Sequence, residues 1–121
     1  MAGLKLTRLE QAVLQAIYAR YPTERAALEA QLAAATVRSR KNTGAGFYTY
    51  FDVNRIAAAA AQCERVIGNV SVKIEGFEDP MVFVLFIEDG YANCLEGAAI
   101  RDDTAQTDFG AVEFEIIGSS S

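Results

Sequence analysis

Three groups of side chains in this sequence could do chemistry. Glu96, within Cys94-Leu95-Glu96-Gly97, is a carboxylate in an apolar neighbourhood. If buried it would have a raised pKa and could serve as a general acid or base, with the phenol of Tyr48 or Tyr50 as a hydrogen-bonding partner. Arg38, Arg40 and Lys41 precede Gly44-Ala45-Gly46 and the aromatics Phe47, Tyr48, Tyr50 and Phe51. Cationic side chains beside open glycine amides could hold a phosphate, and the rings could stack on a base. Asp102, Asp103 and Asp108 could offer oxygens to a hard cation.

Each group has a structural reading that competes with the chemical one. The basic run has neither the third glycine of a dinucleotide fingerprint nor the Gly-Lys-Ser/Thr of a P-loop, and it reads equally as an edge strand kept soluble by its charges. Glu96 could sit at the solvated end of its strand. The three aspartates lack the ligand spacing and central glycine of a calcium loop, so a solvated turn is expected and no metal site. No cofactor is expected either.

Composition narrows the chemistry further. The chain has no histidine, which removes the commonest general base near neutral pH, Ser-His and Cys-His nucleophile pairs, and most zinc and haem sites. Cys63 and Cys94 lack CxxC spacing and read as reduced thiols, buried as small apolar groups. The net charge of -5 is unevenly placed: residues 1–65 carry nine Lys/Arg against five Asp/Glu, and residues 66–121 two against eleven. An acidic second half repels phosphate backbones, so nucleic acid is not an expected partner, whereas a basic protein is a candidate one. No apolar run reaches the ~20 residues needed to span a membrane, and no secretory leader is visible, so a cytoplasmic location is expected.

The elements that must position these groups follow from periodicity. Thr7-Arg8-Leu9-Glu10 matches a capping box, and Leu9, Val13, Leu14, Ile17 and Tyr18 form one stripe of a helix ending near Tyr21. A second helix is expected from Pro22 to about Ala34, with Leu28 and Leu32 on its apolar side. Strand, glycine turn and strand follow over Thr36–Lys41, 42–46 and Phe47–Val53. Asn54 to Arg65 is open between a helix and an ordered loop, since its alanines favour a helix but Ile56 is its one large anchor. Val70, Val72 and Ile74 alternate with polar residues as a half-buried strand, and Val112, Phe114 and Ile116 do so near the end. Residues 118–121 are expected to fray.

Between them lies Pro80 to Ala98, the expected centre of the sheet. Met81–Ile87 is seven apolar residues long, Asp89-Gly90 suits a type I′ turn, and Tyr91–Gly97 returns. A regular two-residue hairpin would set Glu88 against Tyr91, Phe86 against Asn93, Leu85 against Cys94, Val84 against Leu95 and Phe83 against Glu96. Both faces of the first arm are apolar, which calls for cover on both sides.

The expected fold is α+β: one domain over residues 1–121, with two N-terminal helices packed on a mainly antiparallel sheet of five or six strands. The motifs Gly44-Ala45-Gly46-Phe47-Tyr48-Thr49, Val84-Leu85-Phe86-Ile87-Glu88-Asp89-Gly90 and Leu95-Glu96-Gly97 resemble those of a family of small uncharacterised bacterial proteins. That resemblance implies a single domain and carries no activity. The leading functional expectation is a non-catalytic interaction domain, one form being an inhibitor or immunity-type protein with an acidic surface. A small enzyme built on Glu96 and the tyrosines, and a phosphate or nucleotide binder at Arg38 to Gly46, are the alternatives. Two helices about 10 Å wide cover only one face of such a sheet, so a homodimer through the other face is expected unless Asn54–Arg65 folds over it.

Overall fold

The computed structural model describes residues 5–119. Helix α1 spans Arg8–Arg20, and both halves of its capping box are made: the Glu10 amide donates to Thr7 and the Thr7 amide donates to Glu10. Its buried stripe is the one its spacing predicts, Leu9, Val13, Leu14, Ile17 and Tyr18. Helix α2 spans Arg25–Ala33 and starts later than Pro22, because residues 22–24 form a turn and Glu24 caps without a side-chain bond. Leu28 and Leu32 are buried, and so is Gln31.

Six strands follow: β1 (Thr36–Asn42), β2 (Gly46–Asp52), β3 (Val66–Ile74), β4 (Met81–Glu88), β5 (Tyr91–Ala98) and β6 (Phe114–Ser119). They form one sheet in the order β1-β2-β5-β4-β3-β6 with every neighbouring pair antiparallel. The β4–β5 hairpin is therefore the middle of the sheet. The fold is α+β, two N-terminal helices on a six-stranded antiparallel open sheet. Gly118 and Ser119 pair with Ser71 and Val70, so the ladder runs into the segment expected to fray; residues 120–121 lie outside the described residues.

The hairpin turn is of the expected kind, with Asp89 at φ 55° and Gly90 at φ 84° and Glu88 opposite Tyr91. Beyond it the register differs from a regular hairpin. Ile87 pairs with Ala92 and Phe86 with Cys94, leaving Asn93 as an extra residue. One inserted residue shifts every later pair and exchanges the faces of the returning arm. Leu85 thus meets Leu95, Phe83 meets Gly97, and Val84 meets Glu96. The bulge puts Leu95 in the core and moves Cys94 and Glu96 to the other side of the sheet.

That core lies between the sheet and the helices. Met81, Phe83, Leu85 and Ile87 of β4 are buried there with Val70, Val72, Ile74, Phe47, Phe51 and Leu95. Val82, Val84 and Phe86 point to the opposite face and are half-buried. Asn54–Arg65 is a turn and an extended segment, without a helix. Its bonds go to α2, to the hairpin turn and to the strands beside it: Arg55 pairs with Glu88 and Asp89, the Tyr91 hydroxyl lies 3.1 Å from the Arg55 and Ala58 carbonyls, and the Ile87 amide donates to the Arg65 carbonyl. The buried Gln31 amide donates to the Ala59 and Gly90 carbonyls and accepts from the Ala92 amide, while the Ala61 amide also donates to Gly90. Ile56 is left 99% exposed at its tip.

At Gly97 the Phe83 ring lies directly on the backbone: a Cβ built there would come within 2.4 Å of the ring. Phe83 in turn meets the edge of Phe47, ring centres 5.8 Å apart. Gly97→Ala is expected to cost about 1–3 kcal/mol by overpacking, read as a lower urea midpoint, and Phe83→Leu in the same chain should recover part of that loss. An unchanged midpoint in Gly97→Ala would contradict this packing.

Candidate functional site

Glu96 and Tyr48 are directly opposite one another on β5 and β2. Both are half-buried on the helix-free face, the placement that the Asn93 bulge brings about. The Glu96 carboxylate facing it pushes the Tyr48 phenol above its ordinary value. Tyr50 stacks beside it, ring centres 6.0 Å apart and 19° from parallel, and Arg38 lies over the Tyr50 ring at 5.6 Å. Burial pushes the neighbouring Cys94 thiol up to about 11, which leaves it protonated and poorly nucleophilic.

The basic run divides between the two faces. Strand alternation sends Lys41, opposite Tyr48, to the helix-free side and Arg40, opposite Thr49, to the helix side. Arg40 is bound there. Its guanidinium donates to both oxygens of Glu10 at 2.9 and 2.7 Å and to the Lys5 carbonyl. The glycine turn is closed as well. The Gly44, Ala45 and Gly46 amides donate to Asn42 Oδ1, Thr43 Oγ1 and Thr104 Oγ1, at 2.9, 3.2 and 2.9 Å. Gly46 has φ 123°, and a Cβ there would lie 2.0 Å from the Gly97 carbonyl oxygen, so this glycine answers to a close backbone approach. Cationic groups and free amides do not converge on one anion site.

The aspartates serve turns. Asp102 accepts from the Glu78 and Asp79 amides, Asp103 from Ala105, and Asp108 from Gly110. Among the described residues, no group of three or more His, Cys, Asp or Glu side chains could hold a metal ion, and no helix is long and apolar enough to cross a membrane.

What sequence reasoning missed is the second role of Glu10. Beyond capping α1 it is fully buried, and it accepts from Arg40 twice, from Thr49 Oγ1 and from the Thr7 amide. Burial alone would raise its pKa; the hydrogen bonds from Arg40, Thr49 and Thr7 outweigh burial and hold it below the ordinary value. The capping box signals the residue, but nothing local signals a partner 30 positions away. Gln31 and Thr104 were missed for the same reason.

The remaining feature of the helix-free face is its apolar band. Val82, Val84 and Phe86 of β4 run beside Ala98, Glu96 and Cys94 of β5, with Tyr48 and Tyr50 on β2 beyond, and Val66, 46% exposed, continues the row of Phe86 on β3. No family profile, curated protein or solved structure matches the chain.

Arg40→Met would strand a buried carboxylate, so a loss of about 3–5 kcal/mol is expected in denaturant unfolding. Adding Glu10→Met should recover most of it; no recovery would show that the pair is not the cause. Because the folded pKa of Glu10 is depressed, its contribution is complete above the unfolded value of about 4.3 and is lost as pH falls through the lower folded value. The stability gap between wild type and Glu10→Gln should therefore be flat from pH 7 to about pH 5 and narrow below that.

Proposed function

We propose that this protein is a non-catalytic interaction domain whose contact surface is the helix-free face of the sheet. One observation carries the reading: the middle strand of the sheet shows the apolar row Val82, Val84 and Phe86 to the side that neither helix covers. A contiguous apolar band of this kind on a small acidic protein is the usual mark of a contact site. The flanking Tyr48, Tyr50 and Arg38 are residue types enriched at the centres of protein interfaces.

A catalytic reading of Glu96 has less support. Glu96 and Tyr48 lie on a sheet face and line neither the cleft of about 780 Å³ nor the one of about 480 Å³, and the chain has no histidine. A cleft of about 780 Å³ opens beside Cys63, Arg65 and the Asp89-Gly90 turn and takes in Val66 and Phe86 of the contact face.

The test compares complex formation, with itself or with another protein, by light scattering and affinity capture in wild type, Phe86→Glu and Ile56→Glu. Phe86→Glu should lose association with its circular-dichroism spectrum intact. Ile56→Glu, which alters an exposed apolar side chain away from the face, should keep it. Absence of any complex in wild type, or equal association in all three, would overturn the reading.

A further inference from the structure

Resting on that reading, we infer that the occupant of the helix-free face is a second copy of the chain, packed about a two-fold axis parallel to the strands. The strand order places the midline of the sheet between β5 and β4. A two-fold along the strands at that midline lays β5 on β4 of the other copy and β2 on its β3. One register row reads Tyr50, Cys94, Phe86, Val66 across β2, β5, β4 and β3; the next reads Tyr48, Glu96, Val84, Gly68; a third ends in Ala98, Val82, Ser71.

Under this axis three of the five pairs set a large side chain on a small one, while Glu96 lies on Val84. Phe86 meets Cys94 of the other copy, Val82 meets Ala98, Tyr48 meets Gly68 and Tyr50 meets Val66. The two-fold across the strands would instead set each strand on itself. Centred on a row, it would bring Phe86 onto Phe86 or Glu96 onto Glu96. Interdigitation favours the axis along the strands.

Charge favours a second copy over a basic partner. The chain is at -5, yet this face is balanced: Lys41 and Lys73 stand with Glu96 and Glu115, and Arg38 lies 3.8 Å from Asp52. A face for a basic protein would carry the acidic excess of the chain. The area fits a modest dimer. Four strands at about 4.8 Å spacing and about 25 Å length give a footprint of about 500 Å² per copy. About 1,000 Å² for both copies is the lower limit for a specific interface, which predicts micromolar association.

The experiment is sedimentation equilibrium from about 1 to 200 μM, bracketing that dissociation constant, on wild type, Tyr50→Glu, Val66→Lys and the double variant. Within one chain these residues are three strand spacings apart, about 14 Å, so they touch only across the proposed interface. Wild type should approach twice its 13.1 kDa. Each single variant should raise the dissociation constant at least about tenfold, and the double variant should recover most of the loss because opposite charges then meet between copies. A wild type that stays at 13.1 kDa overturns the dimer, as does a double variant no tighter than the singles. A monomer that still captures another protein through Phe86 overturns the dimer alone and leaves the contact face standing.

Discussion

Taking the Glu10 carboxylate out of water costs several kcal/mol, and the arrangement of the helix layer on the sheet is what compensates for it. The carboxylate comes from the first turn of α1, its guanidinium from β1, a hydroxyl from β2 and an amide from the helix cap. Sliding α1 along the sheet would break the bonds to β1 and β2. Apolar packing is non-directional and would tolerate the helix sliding along the sheet; a buried ion pair with one geometry does not. At the other end of α1, Arg20 donates to the Gly68 carbonyl and the Tyr21 hydroxyl accepts from the Gly68 amide. The helix is thus pinned at both ends to opposite halves of the sheet.

The connecting segments are held by the same kind of device, one buried polar side chain each. Gln31 from α2 spends its whole amide on Ala59, Gly90 and Ala92. Thr104 accepts from the Gly46 amide and donates to Asn42, while its own amide donates to the Gly44 carbonyl. Two long connections thereby become parts of the core layer. Phe109 follows Thr104 inward and stacks on Phe47 with ring centres 4.3 Å apart. These bonds tie both connections to the helix side and the ends of the sheet.

The helix-free face is shaped by the bulge at Asn93. Without the extra residue Glu96 would have pointed into the core opposite Phe83, an unpaired carboxylate in an apolar layer. With it, Glu96 sits beside Tyr48 on the outside, Leu95 enters the core, and Gly97 comes under the Phe83 ring. The same shift places Cys94 and Ala98 on this face of β5, on either side of Glu96 and between the larger residues of β2 and β4.

Much of this was legible in the amino-acid order alone. The capping box, the stripe from Leu9 to Tyr18, the Asp89-Gly90 turn and the two-sided apolar run Met81–Ile87 are local patterns, and local patterns determined the elements, their class and the central place of the hairpin. The faces of β5 were not legible. A bulge leaves composition and periodicity nearly unchanged while reversing every side chain beyond it. Nor could the sequence separate Arg40 from Arg38 and Lys41, because the difference lies in a carboxylate 30 residues earlier that only packing brings near. The glycine turn likewise looked open until Thr104, 58 residues from Gly46, closed it. Periodicity depends on neighbours along the chain, whereas burial, hydrogen-bond satisfaction and the identity of a charge's partner depend on neighbours in space, and those only the tertiary structure decided.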